Sequence, residues 1–275
     1  MRRRDRFGTW CGGWIAALAL VAGSSGASAA TPPPPVDPAP YGRKIATDTP
    51  EGLAAYLHKA FRSIDGYWID HFKQVGLKGP SLFYTLPMPG DTGYQSSCMP
   101  EPIVHNTPNF YHCPTDTLTE DDGTTFEGAV HFPVTTAMKL RDTTNEFAVA
   151  TVLAHEYGHE AQHEYMEQRG WADIVQMKDG APVLDETGNT VPVKEAELIA
   201  DCFSGSWAKY AYQQGLVADT DLTMSIKALE LAGDDQVGVP APHGSKYERT
   251  AAFTLGYNQG PEQCVRHYWV TEIFD

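Results

Sequence analysis

The sequence feature that most constrains the fold is the pattern HEYGH at residues 155–159. Successive residues of an α-helix are rotated by about 100°, so His155 and His159 leave the same face one turn apart. Two imidazoles in this arrangement bind one zinc ion, and Glu156 lies beside them, placed to accept a proton from a zinc-activated water without being a ligand. The pattern therefore predicts a helix with His155 and His159 as zinc ligands and Glu156 as general base.

The sequence around this pattern favours a long, buried helix. Thr143–Glu146 has the S/T-x-x-E form of a capping box, and Arg169 followed by Gly170 is typical of a helix C-terminus. One side of the helix is apolar and small, which suits deep packing against neighbouring elements. The residues on that side are Phe147, Ala150, Ala154, Gly158 and Ala161.

A catalytic zinc site needs a third protein ligand and one open position. Glu197 is the best candidate, because Glu195–Asp201 is rich in helix formers and Glu197 shares a helix face with Asp201. A glutamate followed one turn later by an aspartate resembles the glutamate-zincins. The resemblance implies that Glu197 binds zinc and that Asp201 orients a histidine ligand, His155, through its second ring nitrogen. Glu195 is the alternative ligand.

His163 also lies on the face of the two predicted ligands. It sits two turns from His155, too far along the helix axis for all three rings to meet one small ion. The metzincin pattern would require a histidine at the position of Tyr165. We therefore interpret His163 as a surface residue or as a neighbour of a ligand.

Residues 1–29 have the features of a signal peptide. Four arginines within the first six residues precede a short apolar run, Trp14–Ala22, and Ala27–Ala29 matches an A-x-A cleavage site. The apolar run is too short to span a bilayer. We expect a secreted, extracellular protein; an uncleaved signal that acts as a membrane anchor is the alternative.

The remaining chain is predicted to contain one domain. Residues 30–48 form a proline-rich linker, and residues 49–275 are long enough for one compact domain with a substantial core. The formal net charge of −15 becomes −18 after cleavage, because four arginines and one aspartate leave with the signal. A surface this acidic disfavours nucleic acid and anionic lipid as partners, and we expect no stable membrane insertion after cleavage.

The cysteine content is consistent with export. Cys11 leaves with the signal, and Cys98, Cys113, Cys202 and Cys264 remain, an even number that suits an oxidising compartment. Three pairings are possible. We favour Cys98–Cys113, which closes a local loop, and Cys202–Cys264, which ties the second zinc helix to the C-terminal segment. A Cys₄ zinc site is the alternative, but no C-x₂-C spacing supports it.

The other segments predict a mainly helical α+β fold. Residues 50–75 have apolar residues at helical spacing, with Thr49 as N-cap and Pro50 at the first helical position. Residues 81–132 contain short apolar and aromatic runs broken by turn residues, which predicts a small, mostly antiparallel sheet. An edge strand beside the zinc would bind an extended peptide by strand addition. The polar segment 171–192 is predicted to form a hairpin, and a second helix covers 193–214.

His243 is a further candidate because it precedes a predicted helix N-terminus. Ser245 and Glu248 form a capping box, so His243 lies on the loop just before that helix. On such a loop it can donate to the oxyanion that forms when water attacks a carbonyl. The alternative is a histidine that only packs the loop. His105, His112 and His131 follow no spacing rule, and we interpret them as structural.

Taken together, these motifs resemble those of the bacterial neutral zinc metallopeptidase family. The segments that carry the resemblance are FYHCPTD at 110–116, AHEYGHEAQ at 154–162, ELIADCFSGSW at 197–207, GDD at 233–235, and HGS at 243–245 with Arg249 and GY at 256–257. The resemblance covers roughly residues 50–265 and implies a zincin-like α+β domain that binds zinc. The chain departs from the family pattern in a long insertion at 171–192 and a long linker at 117–127.

The expected function is that of a secreted zinc metalloendopeptidase acting on peptides or proteins. In this interpretation Glu156 is the general base toward a zinc-activated water, and His243 stabilises the oxyanion. A zinc-containing domain that binds peptide or protein without cleaving it is the alternative. A zinc hydrolase of non-peptide amides, such as those of cell walls, is a third hypothesis.

Overall fold

The computed structural model describes residues 47–171, 177–178, 181–182, 194–233 and 243–269. The predicted signal peptide lies outside the described residues, as does the predicted linker except for its last two residues. Asp234 and Asp235 of the GDD segment and most of the predicted hairpin segment also lie outside them. Within the described helices, none is both long and apolar enough to cross a membrane.

The described residues form a mainly helical α+β domain, which confirms the predicted fold class. Helix α3 packs against a small sheet, and a short strand pair follows α3 in the chain. In chain order the elements are α1 (Pro50–Gln74), β1 (Phe83–Thr85), β2 (Tyr111–Thr119), β3 (Thr125–His131), α2 (Val134–Thr143), α3 (Glu146–Arg169), β4 (Met177–Lys178), β5 (Ala181–Pro182), α4 (Lys194–Gln213), α5 (Asp219–Leu231), α6 (Lys246–Gln259) and α7 (Pro261–Tyr268).

Helix α1 begins where the sequence predicts. The Thr49 hydroxyl accepts a hydrogen bond from the Gly52 amide at 3.1 Å. Pro50 occupies the first turn, where a main-chain N–H group would have no partner within the helix, so the missing N–H of proline costs nothing. Its apolar face is fully buried in the core. The side chains of Leu53, Leu57, Ile64, Trp68 and Phe72 on that face are at most 1% exposed.

The predicted capping box before α3 is wrong. Thr143 is the last residue of α2, and its hydroxyl donates to the Leu140 carbonyl at 2.9 Å. Asn145 caps α3 instead, because its side-chain oxygen accepts from the Ala148 amide at 2.9 Å. The C-terminus is as predicted, since Gly170 ends the helix with a φ of 65° in the left-handed region.

Helices α3 and α4 cross at unusually small residues. A Cβ atom built on Gly158 would lie 3.1 Å from the Ala200 Cα atom, so the two main chains nearly touch. At the next crossing, α6 packs against α4 so closely that a Cβ atom on Gly256 would overlap the Cys202 carbonyl. These contacts fix α4 between α3 and α6, and they bring residues near 155, 201 and 249 into one region.

The main sheet has the strand order β1-β3-β2. Strands β2 and β3 pair antiparallel in the longer ladder, whereas the short strand β1 pairs parallel to β3. The parallel pair arises because residues 86–110 cross over between β1 and β2 instead of turning tightly, as a parallel pair requires. β2 therefore occupies an outer position of the described sheet, beside α3.

The two predicted disulfide pairings are the two that the structure contains. Cys98 and Cys113 join the crossover loop to β2, with a Cα–Cα distance of 6.0 Å, and Cys202 and Cys264 join α4 to α7 at 5.6 Å. The short strands β4 and β5 pair antiparallel, in agreement with a hairpin within 171–192.

Candidate metal centre

Three buried donor groups from α3 and α4 converge on one point. The Nε2 atom of His155 lies 3.3 Å from one carboxylate oxygen of Glu197, and the Nε2 atom of His159 lies 3.6 Å from the other. The donor atoms of all three residues lie within 4.8 Å of one another, and each side chain is buried. Within the part of the chain that the structure describes, this is the one such group of three or more metal-ligating residues.

The geometry of this group fits zinc. Zinc bonds of about 2.0–2.1 Å in a tetrahedral arrangement place ligand atoms about 3.3–3.5 Å apart. The nitrogen–oxygen distances of 3.3 and 3.6 Å match that spacing. Two imidazoles and one carboxylate are also a donor set that catalytic zinc uses, and three protein ligands leave a fourth position open.

Asp201 orients His155 from the side away from the donor group. Its carboxylate accepts a hydrogen bond from Nδ1 of His155 at 2.8 Å, which leaves Nε2 directed at Glu197. Although burial opposes ionisation, the charge of Arg249 and the contact with His155 lower the pKa of Asp201. Burial likewise opposes a charged ring, but Asp201 and Glu197 raise the pKa of His155 to about 10. Without a metal, the carboxylates therefore hold a proton on His155, and a bound cation must displace it.

Arg249 on α6 holds Asp201 in place. Its Nε and Nη2 atoms donate to the two Asp201 oxygens at 2.7 and 2.8 Å, and its Nη1 atom donates to the Ala232 carbonyl at 3.0 Å. In the sequence, Arg249 stands out only as part of the family resemblance. No spacing rule relates residue 249 to residue 201, although the capping box of Ser245 and Glu248, present as predicted, places Arg249 in the first turn of α6.

Glu156 has the surroundings expected of a base. Its side chain is 2% exposed, and one carboxylate oxygen is buried with no hydrogen-bond partner in the described structure. Burial raises the pKa of Glu156 to about 8, against the opposing charge of His155. A divalent cation held by the neighbouring donors would lower that pKa, because it stabilises the ionised carboxylate.

Gln162 is a polar neighbour of the site for which the sequence predicts no individual role, although it belongs to the segment 154–162 that carries the family resemblance. Its side-chain nitrogen lies 3.3 Å from Nδ1 of His159 and donates to the Ala196 carbonyl at 3.1 Å, so it connects the His159 ring to the first turn of α4. It is 1% exposed. Its position three residues after His159 is the local signal for this contact, since i and i+3 side chains are neighbours on a helix.

His243 lines the same cleft as the donor groups, and its side chain is exposed. Its loop is fixed at the end of the cleft by two contacts. Gly244 has a φ of 81°, and a Cβ atom there would lie 3.2 Å from the Leu198 side chain. The Lys194 ammonium contacts the Glu248 carboxylate at 2.6 Å, which joins α4 to α6.

The alternative ligands lie elsewhere. Glu195 is exposed on α4, and His163 faces Glu167 at 3.6 Å outside the lining of the cleft. His131 is fully buried against Asp116 at 2.8 Å, and His105 contacts the Thr135 hydroxyl at 2.9 Å.

His112 is the one histidine interpreted as structural that approaches the site. Its ring centroid lies 6.3 Å from that of His159, and its Nε2 atom contacts the Glu160 carboxylate at 2.6 Å. Gly128 on β3 has a φ of 87°, and a Cβ atom there would overlap that carboxylate. The contact therefore attaches the main sheet to α3 directly behind a predicted ligand.

A cleft of about 380 Å³ opens over the donor groups. His155, Glu156, His159 and Glu197 line one side of it. Arg249 and His243 also reach it, and the remaining wall comes from α2, α5 and the segment before β2. A volume of this order holds a small ligand or part of a peptide.

Comparisons with known proteins agree with this site. The model of the family described as "Putative neutral zinc metallopeptidase" matches residues 106–267. The uncharacterized protein YpfJ of Escherichia coli (strain K12) is 29% identical over 167 residues, which cover 56% of this chain and 52% of that protein. The uncharacterized protein Rv2575 of Mycobacterium tuberculosis (strain ATCC 25618 / H37Rv) is 31% identical over 175 residues, covering 56% and 53%.

The chain thus spans about half the length of the curated relatives that it matches. No solved structure matches it. The family match covers more than half of the chain and contains the residues of both zinc helices, the loop of His243 and Arg249. On this evidence, the chain belongs to the family of neutral zinc metallopeptidases.

Proposed function

We propose that this protein is a zinc-dependent metalloendopeptidase. The observation that carries the proposal is the placement of the buried Glu156 carboxylate beside the donors of His155, His159 and Glu197, at the wall of one cleft. A site that only binds a metal has no need of a carboxylate with an unpaired oxygen at that place. The family match supports the same activity class.

Each group of the site has one role in peptide hydrolysis. When bound, zinc supplies a Lewis acid that polarises a peptide carbonyl and lowers the pKa of a water molecule. Glu156 accepts a proton from the attacking water and delivers it to the departing amine nitrogen. Asp201 keeps the proton of His155 on Nδ1, so that Nε2 remains a donor toward the metal, and Arg249 keeps Asp201 ionised and in position.

His243 is proposed to donate a hydrogen bond to the oxyanion that forms on the carbonyl. Its support is its place in the cleft lining and the two contacts that fix its loop. Preorganised donors of this kind stabilise developing negative charge because they need no reorganisation during the reaction. Replacement by Ala is expected to lower kcat by about 10²- to 10³-fold and to leave zinc content unchanged.

The proposed substrate is an extended peptide or protein segment outside the cell. β2 lies at an outer position of the sheet, and Phe110, which precedes it, lines the cleft. A peptide that pairs with this edge would pass beside the donor groups. The predicted signal peptide and the two disulfides support a site of action outside the cytoplasm.

Metal analysis and peptide digestion test the proposal. The purified protein is expected to contain one zinc ion per chain and to cleave a peptide library in a manner that a chelator abolishes and added zinc restores. Glu156→Gln is expected to retain zinc and to lose hydrolysis, whereas Glu195→Gln, a matched change at an exposed position, retains both. Zinc binding without any cleavage would instead support the peptide-binding alternative.

A further inference from the structure

The cleft has two chemically different walls. Apart from the donor groups and a few polar residues, its lining is apolar and comes from four separate parts of the chain. The larger apolar side chains of that wall are Pro108, Phe110, Leu140, Val152, Leu229 and Leu231. The smaller residues Ala228 and Ala232 lie among them and leave open volume. We refer to these eight residues as the apolar wall.

The apolar wall begins close to the proposed base. Val152 lies on α3 one turn before Glu156, and residues four apart on a helix are neighbours on its surface, with Cβ atoms about 5–6 Å apart. A side chain held against Val152 is therefore within one helical turn of the group that handles the proton. This places the apolar wall beside the bond that would be cleaved.

The α5 part of the wall is attached to the elements around the metal donors. Arg249 donates to the Ala232 carbonyl at the end of α5 while its other two nitrogens hold Asp201. At the other end of α5, the Asn145 side chain donates to the Asp221 carboxylate at 2.9 Å. One end of α5 is thus attached to the N-cap of α3, and the other is attached through Arg249 to Asp201 of α4. These bonds hold the α5 residues of the apolar wall against the elements that carry the donor groups.

Charge in the cleft disfavours an acidic occupant. Among the described lining residues, Arg249 is the one lysine or arginine, and all three of its nitrogens already have partners. The carboxylates of Glu156 and Glu197 face the same space. Leu231, by contrast, is 61% exposed although it lines the cleft, so an apolar group bound there removes leucine surface from water.

We propose that the apolar wall is a specificity subsite that holds one large aliphatic or aromatic side chain of the substrate, adjacent to the scissile bond. This inference rests on the proposed function for the identity of the occupant as a peptide. It adds the substrate class: peptides with leucine-like or phenylalanine-like residues next to the cleaved bond.

Binding to a zinc-loaded Glu156→Gln protein separates this inference from the activity itself. The probes are fluorescein-labelled alanine-glycine peptides in which one central position is Leu, Phe, Ala or Asp, and the readout is Kd from fluorescence anisotropy. The Leu and Phe peptides are expected to bind about 10- to 100-fold more tightly than the Ala peptide, and the Asp peptide most weakly. Digestion of a peptide library by the unmodified protein is expected to show the same preference beside the cleaved bond.

Two variants locate the preference in the apolar wall. Leu231→Ala is expected to reduce the Leu-over-Ala ratio of Kd by about 3- to 10-fold, and Val152→Phe, which fills the cleft, is expected to shift the preference to small residues. Ile69→Ala is the control, because Ile69 is a partly exposed aliphatic residue of α1 that lies outside the cleft lining and outside β2. Unchanged zinc content and Tm show that each variant is folded.

The outcomes distinguish the two proposals. Equal binding of the four peptides within a factor of two overturns the subsite, whether or not the protein is a peptidase. An equal effect of Ile69→Ala and Leu231→Ala also overturns it. Discrimination in binding without cleavage by the unmodified protein keeps the subsite and overturns the proposed hydrolysis.

Discussion

Two buried histidine–aspartate pairs occupy this domain, and they differ in what the second ring nitrogen meets. His155 contacts Asp201 at 2.8 Å, and His131 contacts Asp116 at the same distance. The second nitrogen of His155 points at the Glu197 carboxylate, whereas that of His131 contacts the Thr85 hydroxyl on the neighbouring strand. A buried His–Asp pair therefore does not by itself indicate a metal site or a catalytic site. The ring nitrogen that does not contact the aspartate decides whether the histidine can bind a metal.

The aspartates of the two pairs are also held differently. Asp201 is bound by the Arg249 guanidinium, a full charge from another helix. Asp116 is bound by the main-chain amide of Ser97 at 2.6 Å, next to the Cys98–Cys113 disulfide in the chain. The first arrangement couples three helices to the donor group, while the second only fastens a loop to the sheet.

The largest contrast is expected when each histidine is replaced. His155→Asn removes a donor and is expected to lower zinc affinity by more than about 100-fold, beyond the effect of losing a residue that only supports a ligand. His131→Asn is expected to keep one zinc per chain, because its ring does not face the donor group. Zinc titration with a competing chelator measures both. Equal losses of affinity would show that the two pairs do not differ as described.

Replacing the aspartates is expected to give the next largest effect. Asp201→Asn leaves the buried Arg249 without its charge partner, so the free energy of unfolding should fall by about 3–5 kcal/mol. Zinc affinity should also fall by about 10- to 100-fold, because His155 loses its orienting carboxylate. For Asp116→Asn, the expected loss is about 1–3 kcal/mol with unchanged zinc affinity. Urea unfolding and chelator titration provide the measurements; an effect of Asp116→Asn on zinc would count against the contrast.

The contribution of Asp116 to the free energy of unfolding is expected to depend on pH. Although burial opposes ionisation, hydrogen bonds from His131, Ser96 and Ser97 lower the pKa of Asp116 below its ordinary value of 3.8. A carboxyl with a lowered pKa in the folded state binds its proton more weakly there than in the unfolded chain. Its stabilisation is thus fully present above about pH 4, the unfolded pKa, and is lost as the pH falls through the folded value.

The measurement for this pH effect is urea unfolding of the unmodified protein and of Asp116→Asn between pH 6 and pH 3, with a chelator present in all samples. The difference in unfolding free energy between the two proteins is expected to be constant above about pH 5 and to shrink at lower pH. A difference that grows as the pH falls would mean that the folded state raises the pKa of Asp116.

The smallest effect is expected from Thr85→Val. This change removes the hydroxyl that contacts His131 but keeps the shape of the side chain, and a neutral hydrogen bond contributes about 0.5–1.5 kcal/mol. Zinc content and peptide cleavage are expected to be unchanged. Thermal unfolding followed by circular dichroism measures the difference; altered zinc content would contradict the interpretation of this pair as structural.

The elements that the sequence predicted best are those fixed by local rules. The spacing of His155 and His159, the face shared by Glu197 and Asp201, and the left-handed Gly170 all depend on helix geometry within a few residues. The start of α3 was mispredicted for the same reason. Two local signals compete there, and the Asn145 cap prevails because Thr143 still belongs to the preceding helix.

The parts that the sequence did not predict depend on contacts between distant segments. Arg249 meets Asp201 only because α6 packs directly on α4, and the parallel pairing of β1 follows from the path of a long crossover loop. The pairing of His112 with Glu160 requires a glycine at 128, whose reason is visible only when the helix lies against the sheet. No periodicity within one segment encodes such encounters.

The crossing of α3 and α4 at Gly158 and Ala200 determines which amino-acid substitutions can alter the metal donors. Since backbone rests on backbone there, the gap between the imidazoles and the Glu197 carboxylate is set by main-chain thickness rather than by a layer of interchangeable side chains. Substitutions elsewhere in the core are expected to lower the unfolding temperature more readily than they change the spacing of the donors. A methyl group added at position 158 would instead press directly on the main chain of α4 at Ala200, one turn from Glu197, and so act on the spacing of the donors themselves.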